Sequence, residues 1–450
     1  MALGLKTFDK CQLVSENIDM KRAFLTLAVL AAMTLGLSAQ DPSFDGLMSN
    51  LPRPVATPVA SGPAPVGAAQ AAAPAAEREW LVLVFINGVN DLGILGFANK
   101  DINEMETVGS SDRMAVVVEY GILGIDDEFG RNLQFPRGAK TIYVTRDANP
   151  SQISSPVIYS SNDADMGSEA NLVRFVKRGI RKFPAKKTAV ILWNHGSGTL
   201  GISYDDVSKN YMEIDKLGAA LAQIKQALGR KIDVFATDAC LMQMAGVAFE
   251  FRNSAAVVVG SEETIPGRGY PYDTILNQLA GNPGMDAEGL GRAMVDNYGA
   301  SYTNDATLSA IRTSALPGFV GALNNWVLAV KADRKAFTDA ADTALVNATS
   351  RFTNKESKDL FDYTERVEAG LPASQPVKDA GAALRGYIST DLVIRNAALP
   401  RNRKAYTRAK GLAIYIPATQ YNSSNYEKLA FTGVSLWDDF LLDMMRERLK

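Results

Sequence analysis

The chain has 450 residues, of which 47% are apolar, and its 47 basic and 49 acidic residues leave a formal net charge of −2. That length suits one large domain or two medium ones, and the balanced charge removes the driving force for non-specific binding to nucleic acid or anionic lipid. A single histidine, His195, and two cysteines, Cys11 and Cys240, exclude a four-ligand structural zinc site, a metal hydrolase and a disulfide scaffold.

Residues 1–39 have the three parts of a secretory signal peptide. The basic pair Lys21-Arg22 precedes an uncharged apolar stretch, 23–39, which ends in small residues. Met20 stands directly before the basic pair and is a candidate for the true start. The apolar stretch is slightly short for a transmembrane helix, so a retained membrane anchor is the less favoured alternative. We therefore predict an exported protein that is periplasmic, held at the cell surface or extracellular, with no stable membrane insertion after signal removal.

Removal of the signal peptide changes the cysteine content and exposes a low-complexity segment. Cleavage after Ala39 removes Cys11, so that Cys240 is the one cysteine of the exported chain. Residues 40–79 are predicted to be a linker or pro-segment, because 16 of the 25 residues in 52–76 are Pro or Ala. A segment of this composition cannot form a packed core.

Near-continuous apolar runs alternate with helical stretches from Trp80 to residue 275. Runs of this kind form strands that are buried on both faces, as in parallel sheets, and each helical stretch has one apolar face. The pattern predicts an α/β core over 80–275 with a mainly parallel central sheet flanked by helices. The predicted strands are 80–88, 114–120, 141–145, 188–194, 232–238 and 255–261, and the clearest helices are 171–183 and 213–228.

The pattern changes over 276–450, where most of the chain is predicted to be helical. A strand is expected to return near 410–418, and a helix closes the chain. We expect this largely helical C-terminal part to pack on the same sheet rather than to form an independent domain.

Two chemically reactive side chains follow two neighbouring predicted strands. His195 comes directly after the strand 188–194, and Cys240 comes shortly after the strand 232–238. One helix, 213–228, connects these strands, so they are expected to be parallel and adjacent, with their carboxyl ends at the same edge of the sheet. Ligands of open α/β sheets bind at that edge.

An imidazole beside a thiol is the arrangement that a cysteine peptidase needs. The thiolate attacks a carbonyl, and the imidazolium protonates the leaving amine. The N–H groups of Gly196 and Cys240 are the expected donors to the oxyanion, because a glycine turn allows close backbone approach. The alternative interpretation is a hydrogen-bonded core histidine and an inert buried thiol.

These motifs resemble those of the clostripain-like cysteine peptidases, which have a caspase-like fold. The resemblance rests on Asn194-His195-Gly196, on Thr237-Asp238-Ala239-Cys240 and on the Asn90-Asp91-Leu92 turn after the first strand. It extends to Ser261-Glu262-Glu263 and to the segment 411–417, and thus covers the chain from Trp80 nearly to its end.

The resemblance implies roles for several of these residues. His195 would be the catalytic base and Cys240 the nucleophile, with no third residue required. Such peptidases cut after Arg or Lys, and Asp238 matches the acidic residue in the pocket for that side chain. An alternative role for Asp238 is a helix N-cap.

The charges near this pocket leave the specificity open. Arg268 lies where the family builds the rim of the pocket, and pairing with Asp238 would remove the preference for a basic side chain. Glu262 and Glu263 would restore negative charge there. The simpler alternative is that all three are solvated loop charges.

Family members can also cut themselves between the histidine and the cysteine. The best candidate bond here is Lys209-Asn210, in a polar segment, whereas Lys216 falls inside a predicted helix. No cofactor is required by the proposed chemistry. Some relatives use calcium, for which Asp205 and Asp206 would be the oxygen ligands, although no EF-hand spacing is present.

The sequence therefore predicts a secreted cysteine endopeptidase that acts on protein or peptide substrates after basic residues. Two alternatives stay open: a catalytically silent surface binding module, and a caspase-fold peptidase with a non-basic primary specificity.

Overall fold

The computed structural model of the protein describes residues 77–125, 133–134, 138–303, 306–350, 352–369, 374–401 and 404–450. All of these residues belong to one compact unit. The predicted signal peptide, and the predicted linker apart from its last three residues, lie outside the described residues. The first strand begins at Arg78, two residues before Trp80.

The strands agree closely with the apolar runs of the sequence. In chain order they are β1 Arg78–Gly88, β2 Met114–Ile122, β3 Gly124–Ile125, β4 Leu133–Gln134, β5 Ala139–Tyr143, β6 Val157–Ser161, β7 Ala185–Trp193, β8 Ile232–Asp238, β9 Ala255–Gly260, β10 Thr307–Arg312, β11 Ser357–Asp359, β12 Val393–Ala398, β13 Pro400–Arg401, β14 Lys404–Ala405 and β15 Ala413–Tyr415.

Helices connect most of these strands and dominate the C-terminal part. In chain order they are α1 Asp91–Ile94, α2 Phe97–Val108, α3 Glu169–Lys182, α4 Ile214–Leu228, α5 Ala245–Phe251, α6 Tyr272–Gly281, α7 Ala287–Ser301, α8 Leu316–Ala332, α9 Arg334–Ala341, α10 Thr343–Ala348, α11 Leu360–Ala369, α12 Gln375–Tyr387, α13 Ser423–Tyr426 and α14 Trp437–Arg448.

A nine-stranded sheet in the order β12-β10-β9-β8-β7-β1-β2-β5-β6 forms the centre of the molecule. The five middle strands, from β9 to β2, run parallel, as predicted. The two strands at each edge are antiparallel to their neighbours. The predicted strand 141–145 is therefore present as β5, but it pairs antiparallel with β2. An antiparallel neighbour needs no helical crossover, and the connection from β2 to β5 carries only the short β3–β4 pair within its described residues.

The C-terminal part contributes two strands to the central sheet, although not at the expected position. The predicted strand near 410–418 is β15, which pairs with β11 in a separate two-stranded sheet. The strands that do join the central sheet are β10 and β12. Both are short, and their mixed composition gave no continuous apolar run in the sequence.

Both faces of the sheet are covered by helices. Along β1, Leu81, Leu83 and Phe85 belong to one apolar cluster, and the alternating Val82 and Val84 belong to the other. Helices α3, α4, α8 and α14 contribute to the first cluster, and α2, α6 and α7 to the second. Because every side chain from Trp80 to Ile86 of β1 is buried, this part of the strand is apolar without alternation. Among the described residues, none of the helices combines the length and the apolar character of a membrane span.

Candidate active site

The register of two neighbouring strands brings His195 and Cys240 to the same edge of the sheet. Trp193 on β7 pairs with Asp238 on β8, and the Asn194 N–H donates to the Asp238 carbonyl at 3.3 Å. His195 and Cys240 each follow this aligned pair by two residues. The strand ends therefore place both residues in the same position relative to the sheet.

The turn after His195 packs directly on the backbone of Cys240. A Cβ atom at Gly196 would lie 2.3 Å from the Cys240 carbonyl oxygen and 3.1 Å from the Ala239 Cβ. No side chain larger than hydrogen fits there, so the glycine is required by close approach. The two predicted oxyanion donors, the N–H groups of Gly196 and Cys240, therefore belong to segments in direct contact.

The His195 ring is buried and has two different environments. Its Nε2 atom lies 2.8 Å from Oδ1 of Asp91, which is the first residue of α1. Its Nδ1 atom is buried and has no hydrogen-bond partner among the described residues. This does not match the alternative of a fully satisfied core histidine, because one ring nitrogen is left without a partner.

Cys240 is fully buried, and its sulfur accepts a hydrogen bond from the Ile265 N–H at 3.3 Å. The only other cysteine of the chain, Cys11, lies outside the described residues and within the predicted signal peptide.

Asp238 is buried at the end of β8 and accepts hydrogen bonds from two tyrosines. Its Oδ2 atom accepts from the Tyr270 N–H at 3.0 Å and from the Tyr272 hydroxyl at 3.2 Å. Burial and the neighbouring Asp238 carboxylate raise the pKa of Tyr272, so that this hydroxyl keeps its proton and remains a donor. The helix N-cap interpretation of Asp238 is wrong, since the next helix begins only at Ala245.

A second buried carboxylate, that of Asp101, lies beside Asp238. A Cβ atom at Gly269 would lie 2.7 Å from Oδ2 of Asp238 and 3.0 Å from Oδ2 of Asp101, so the two carboxylates flank one point. Asp101 also accepts a hydrogen bond from the Trp193 indole N–H at 2.7 Å, and Lys100 Nζ lies 3.5 Å from its other oxygen. The acidic part of the site is therefore built from α2 as well as from β8.

Asp91 and Asp101 were not among the predicted site residues, although the sequence indicates both of them. Asp91 follows the carboxyl end of β1, a neighbour of β7, so the same strand-end rule that located His195 applies to it. Asp101 lies on the apolar face of α2, between Ala98 and Met105, both of which are fully buried. A charged residue on an apolar helix face is unusual and indicates a special role or partner.

Arg268 lies next to Gly269, close to this acidic pair, and its side chain is exposed. Together with Lys100, Glu104 and Tyr302 it lines a cavity of about 120 Å³.

Glu262 and Glu263 are buried and face the C-terminal part of the chain. Glu262 accepts a hydrogen bond from the Gly411 N–H at 3.0 Å, and Glu263 accepts from the Thr353 N–H at 2.9 Å. The structure therefore does not show them as solvated loop charges.

The predicted self-cleavage site lies in a tight turn. Lys209 has a left-handed backbone with φ of +61°, and its side chain is 76% exposed. The Lys209 N–H donates to the Asp205 carbonyl, the Asp205 N–H donates to the Asn210 carbonyl, and the Asn210 side chain donates to Asp165 at 2.8 Å. The basic side chain is thus accessible, whereas the bond that follows it is held in a folded conformation.

The carboxylate of Asp205, one of the two candidate calcium ligands, is hydrogen-bonded to backbone N–H groups of its own turn and of Met166. Its Oδ1 atom accepts the N–H groups of Val207 and Ser208, and its Oδ2 atom accepts that of Met166 at 3.0 Å. Both oxygens are therefore used to fold the turn. Over the described ranges, no group of three or more acidic, histidine or cysteine side chains could hold a metal ion.

Comparison with known proteins finds one family whose sequence model matches most of this chain. The sequence model of the Clostripain family matches residues 84–444. Clostripain from Hathewaya histolytica is 30% identical over 149 residues, which are 29% of this chain and 27% of that protein. The chain thus spans about a quarter of the length of this curated relative.

Solved structures of bacterial peptidases share the fold. A secreted C11 cysteine protease from Bacteroides thetaiotaomicron, solved with an irreversible peptide inhibitor, is 19% identical with a TM-score of 0.59, and 80% of this chain covers 99% of that one. An inactive zymogen C11 protease from Parabacteroides distasonis is also 19% identical, with a TM-score of 0.56 and the same coverage.

Proposed function

The chain belongs to the Clostripain family, a family of cysteine peptidases, and on this premise we propose that it is an endopeptidase that cuts peptide bonds after Arg or Lys. The observation that supports the basic specificity most directly is the convergence of two buried carboxylates, Asp101 and Asp238, beside Gly269. Cys240 lies two residues after Asp238, so a side chain bound between the carboxylates would present the following peptide bond near the sulfur.

The chemistry proposed for this site uses a cysteine and a histidine. The reduced Cys240 sulfur gives its proton to His195 and attacks the substrate carbonyl, which forms a tetrahedral oxyanion. The N–H groups of Gly196 and Cys240 are proposed to donate to that oxyanion. His195 then gives its proton to the leaving amine, and water hydrolyses the acyl-enzyme. No cofactor takes part in these steps.

The acidic pair suits a cationic substrate side chain for electrostatic reasons. A buried carboxylate is stabilised by an opposite charge, and the interaction is stronger in a dry pocket than in water. The guanidinium of Arg donates to carboxylates in a planar fork, and the ammonium of Lys donates from a single point. Lys100 already offsets part of the charge of Asp101, so Asp238 is expected to contribute the larger share.

Export and self-processing are part of the same proposal. Residues 1–39 have the composition of a signal peptide, and the Bacteroides relative is described as secreted. Self-cleavage after Lys209 is supported by the exposure of this side chain and by its basic character. The processed chain would act on protein or peptide substrates outside the cytoplasm.

The test is the hydrolysis of a peptide series that varies only in the residue before the cut. The protein should begin at Gln40, be reduced, and be compared with Cys240→Ala. Cleavage after Arg and Lys that is lost in the variant is the expected result.

Cleavage after other residues that is lost in Cys240→Ala would support Cys240 as the nucleophile and contradict the proposed preference for basic side chains. In that case Arg268→Ala should restore activity on basic substrates. No peptide cleavage by the folded, reduced protein, even after another protease has cut it at Lys209, would favour a silent binding module.

A further inference from the structure

We propose that Asp91 is a positioning residue for His195, a role that deepens the proposed peptidase function and rests on it. The Asp91 carboxylate lies 2.8 Å from Nε2 of the only histidine in the chain. The family resemblance implied a pair of catalytic residues without a third. The structure supplies a third side chain at the place where such a residue would act.

The position of Asp91 is fixed by the turn that follows β1. The side chain of Asn90 accepts the Leu92 N–H at 3.1 Å and caps the short helix α1. The same side chain donates to the Tyr204 carbonyl at 2.9 Å, which ties the turn to the segment after His195. The segment is tied to His195 as well, because the Ser203 N–H donates to the His195 carbonyl at 3.2 Å. Asp91 and His195 are therefore held by one connected framework.

The contact assigns different roles to the two ring nitrogens. A carboxylate can only accept at this distance, so the neutral ring carries its proton on Nε2. The lone pair is then on Nδ1, which is buried and has no hydrogen-bond partner within the described residues. Nδ1 is therefore the atom that is available to take the proton of the Cys240 thiol. When it does, the negative charge of Asp91 stabilises the imidazolium that forms.

Other charged groups near the ring are less suited to this role. The segments around His195 also carry Cys240, Tyr204, Asp205 and Asp206. Both oxygens of Asp205 bind backbone N–H groups, and the Asp206 side chain is 40% exposed beside Lys209. The Asp91 side chain is less exposed, at 27%, and its Oδ1 atom lies 2.8 Å from Nε2 of the ring.

The test compares Asp91→Asn with the wild type in the chain that begins at Gln40. Asn keeps the size of the side chain and removes its charge. We expect kcat/KM on the preferred peptide to fall by roughly a factor of 10². The alkaline limb of its pH profile should move to lower pH by about one unit, since the imidazolium loses a stabilising charge. Asp112→Asn is the matched control, because Asp112 precedes β2 at the opposite edge of the sheet.

A second readout does not require peptidase activity. Cys240 is the only cysteine in this form of the chain, so its alkylation by iodoacetamide reports the fraction of thiolate directly. The measured quantity is the ratio of the alkylation rate at pH 6 to the rate at pH 9. This ratio should be about tenfold lower in Asp91→Asn than in the wild type, and it should be unchanged in Asp112→Asn. Asp91→Glu should restore part of the wild-type ratio.

The outcomes separate the two proposals. An unchanged pH profile and alkylation ratio in a correctly folded Asp91→Asn protein would overturn the role of Asp91, even if activity fell. A wild type that cleaves no peptide but shows the Asp91-dependent alkylation ratio would leave the role of Asp91 supported and reject the peptidase proposal. Thermal unfolding of each variant identifies a loss of fold.

Discussion

The carboxylates of Asp101 and Asp238 flank the same point beside Gly269, but the groups that surround them differ. Asp238 accepts hydrogen bonds from Tyr270 and Tyr272, which are neutral donors. Asp101 has Lys100 at 3.5 Å in addition to the Trp193 indole. Lys100 therefore offsets part of the charge of Asp101, whereas the hydrogen bonds described for Asp238 come from uncharged groups.

The difference leads to a prediction on substrate affinity. Asp238→Asn should lower kcat/KM for Arg and Lys peptides by roughly ten- to hundredfold, because a charge-assisted hydrogen bond is lost. Asp101→Asn should have a smaller effect in the same assay. The reactivity of Cys240 toward iodoacetamide serves as the control, since it does not depend on a bound side chain. An equal loss in both variants would contradict the unequal roles assigned to the two residues.

At the scale of single residues, the site residues that follow strand ends were predictable from the sequence. The site residues that only tertiary contacts bring together were not. His195 and Cys240 could be placed because β7 and β8 are apolar runs that end just before them. Asp101 projects from a helix, and only the packed structure shows that it reaches Asp238. Glu262 was expected beside Asp238 from its sequence neighbourhood, yet its side chain is directed at Gly411.

At the scale of elements, the turn from Asp205 to Asn210 controls access to the predicted cleavage site. Asp165 accepts hydrogen bonds from both the Ser208 hydroxyl and the Asn210 side chain, each at 2.8 Å. A φ of +61° at Lys209 is incompatible with an extended peptide in a protease cleft. The turn must therefore open before the bond after Lys209 can be cut.

This requirement predicts that loosening the turn accelerates self-cleavage. Asp165→Ala removes the two hydrogen bonds that hold this turn, each contributing about 1 kcal/mol, and should speed cleavage by roughly tenfold. Cleavage is followed by electrophoresis and by mass determination of the new ends. Lys209→Ala should block it, and Lys216→Ala should leave it unchanged. Persistent cutting at the same bond in Cys240→Ala would show that another protease is responsible.

The elements themselves were predictable where the sequence pattern is long and regular. The middle strands and α4 were found nearly to the residue, because each is a continuous apolar run or a regular apolar face. β10 and β12 were not found. Their places in the sheet are set by antiparallel pairing with each other and with β9, which short sequence runs do not reveal.

At the scale of the whole molecule, a buried pair of carboxyl groups joins the parallel core to the C-terminal part. Glu262 follows β9, and Asp359 ends β11. Burial and the adjacent Asp359 raise the pKa of Glu262 well above its ordinary value. Burial also raises the pKa of Asp359, to about 6. The folded protein therefore holds protons here that the unfolded chain releases.

The retained protons predict how stability depends on pH. The unfolded chain loses the Glu262 proton near pH 4.5, whereas the folded protein keeps it, so the free energy of unfolding falls as pH rises above that value. Gln at position 262 has no proton to lose. Between pH 5 and 7, the free energy of unfolding of the wild type should therefore fall more steeply than that of Glu262→Gln. The difference between the two slopes should be about 1.4 kcal/mol per pH unit.

The measurement is urea unfolding of both proteins in a Cys240→Ala background, which prevents self-digestion. The exposed Glu365, changed to Gln, is the control and should follow the wild-type curve. Parallel curves for Glu262→Gln and the wild type would mean that the carboxyl pair does not hold its proton in the folded state.

The alignment of Trp193 with Asp238 also bears on what a cut chain would become. After cleavage at Lys209, β7 and β8 would belong to different polypeptides, and the hydrogen bonds between them would form a subunit interface. The product would be a heterodimer. Its histidine would be supplied by one subunit and its cysteine by the other, so neither fragment would be a peptidase without its partner.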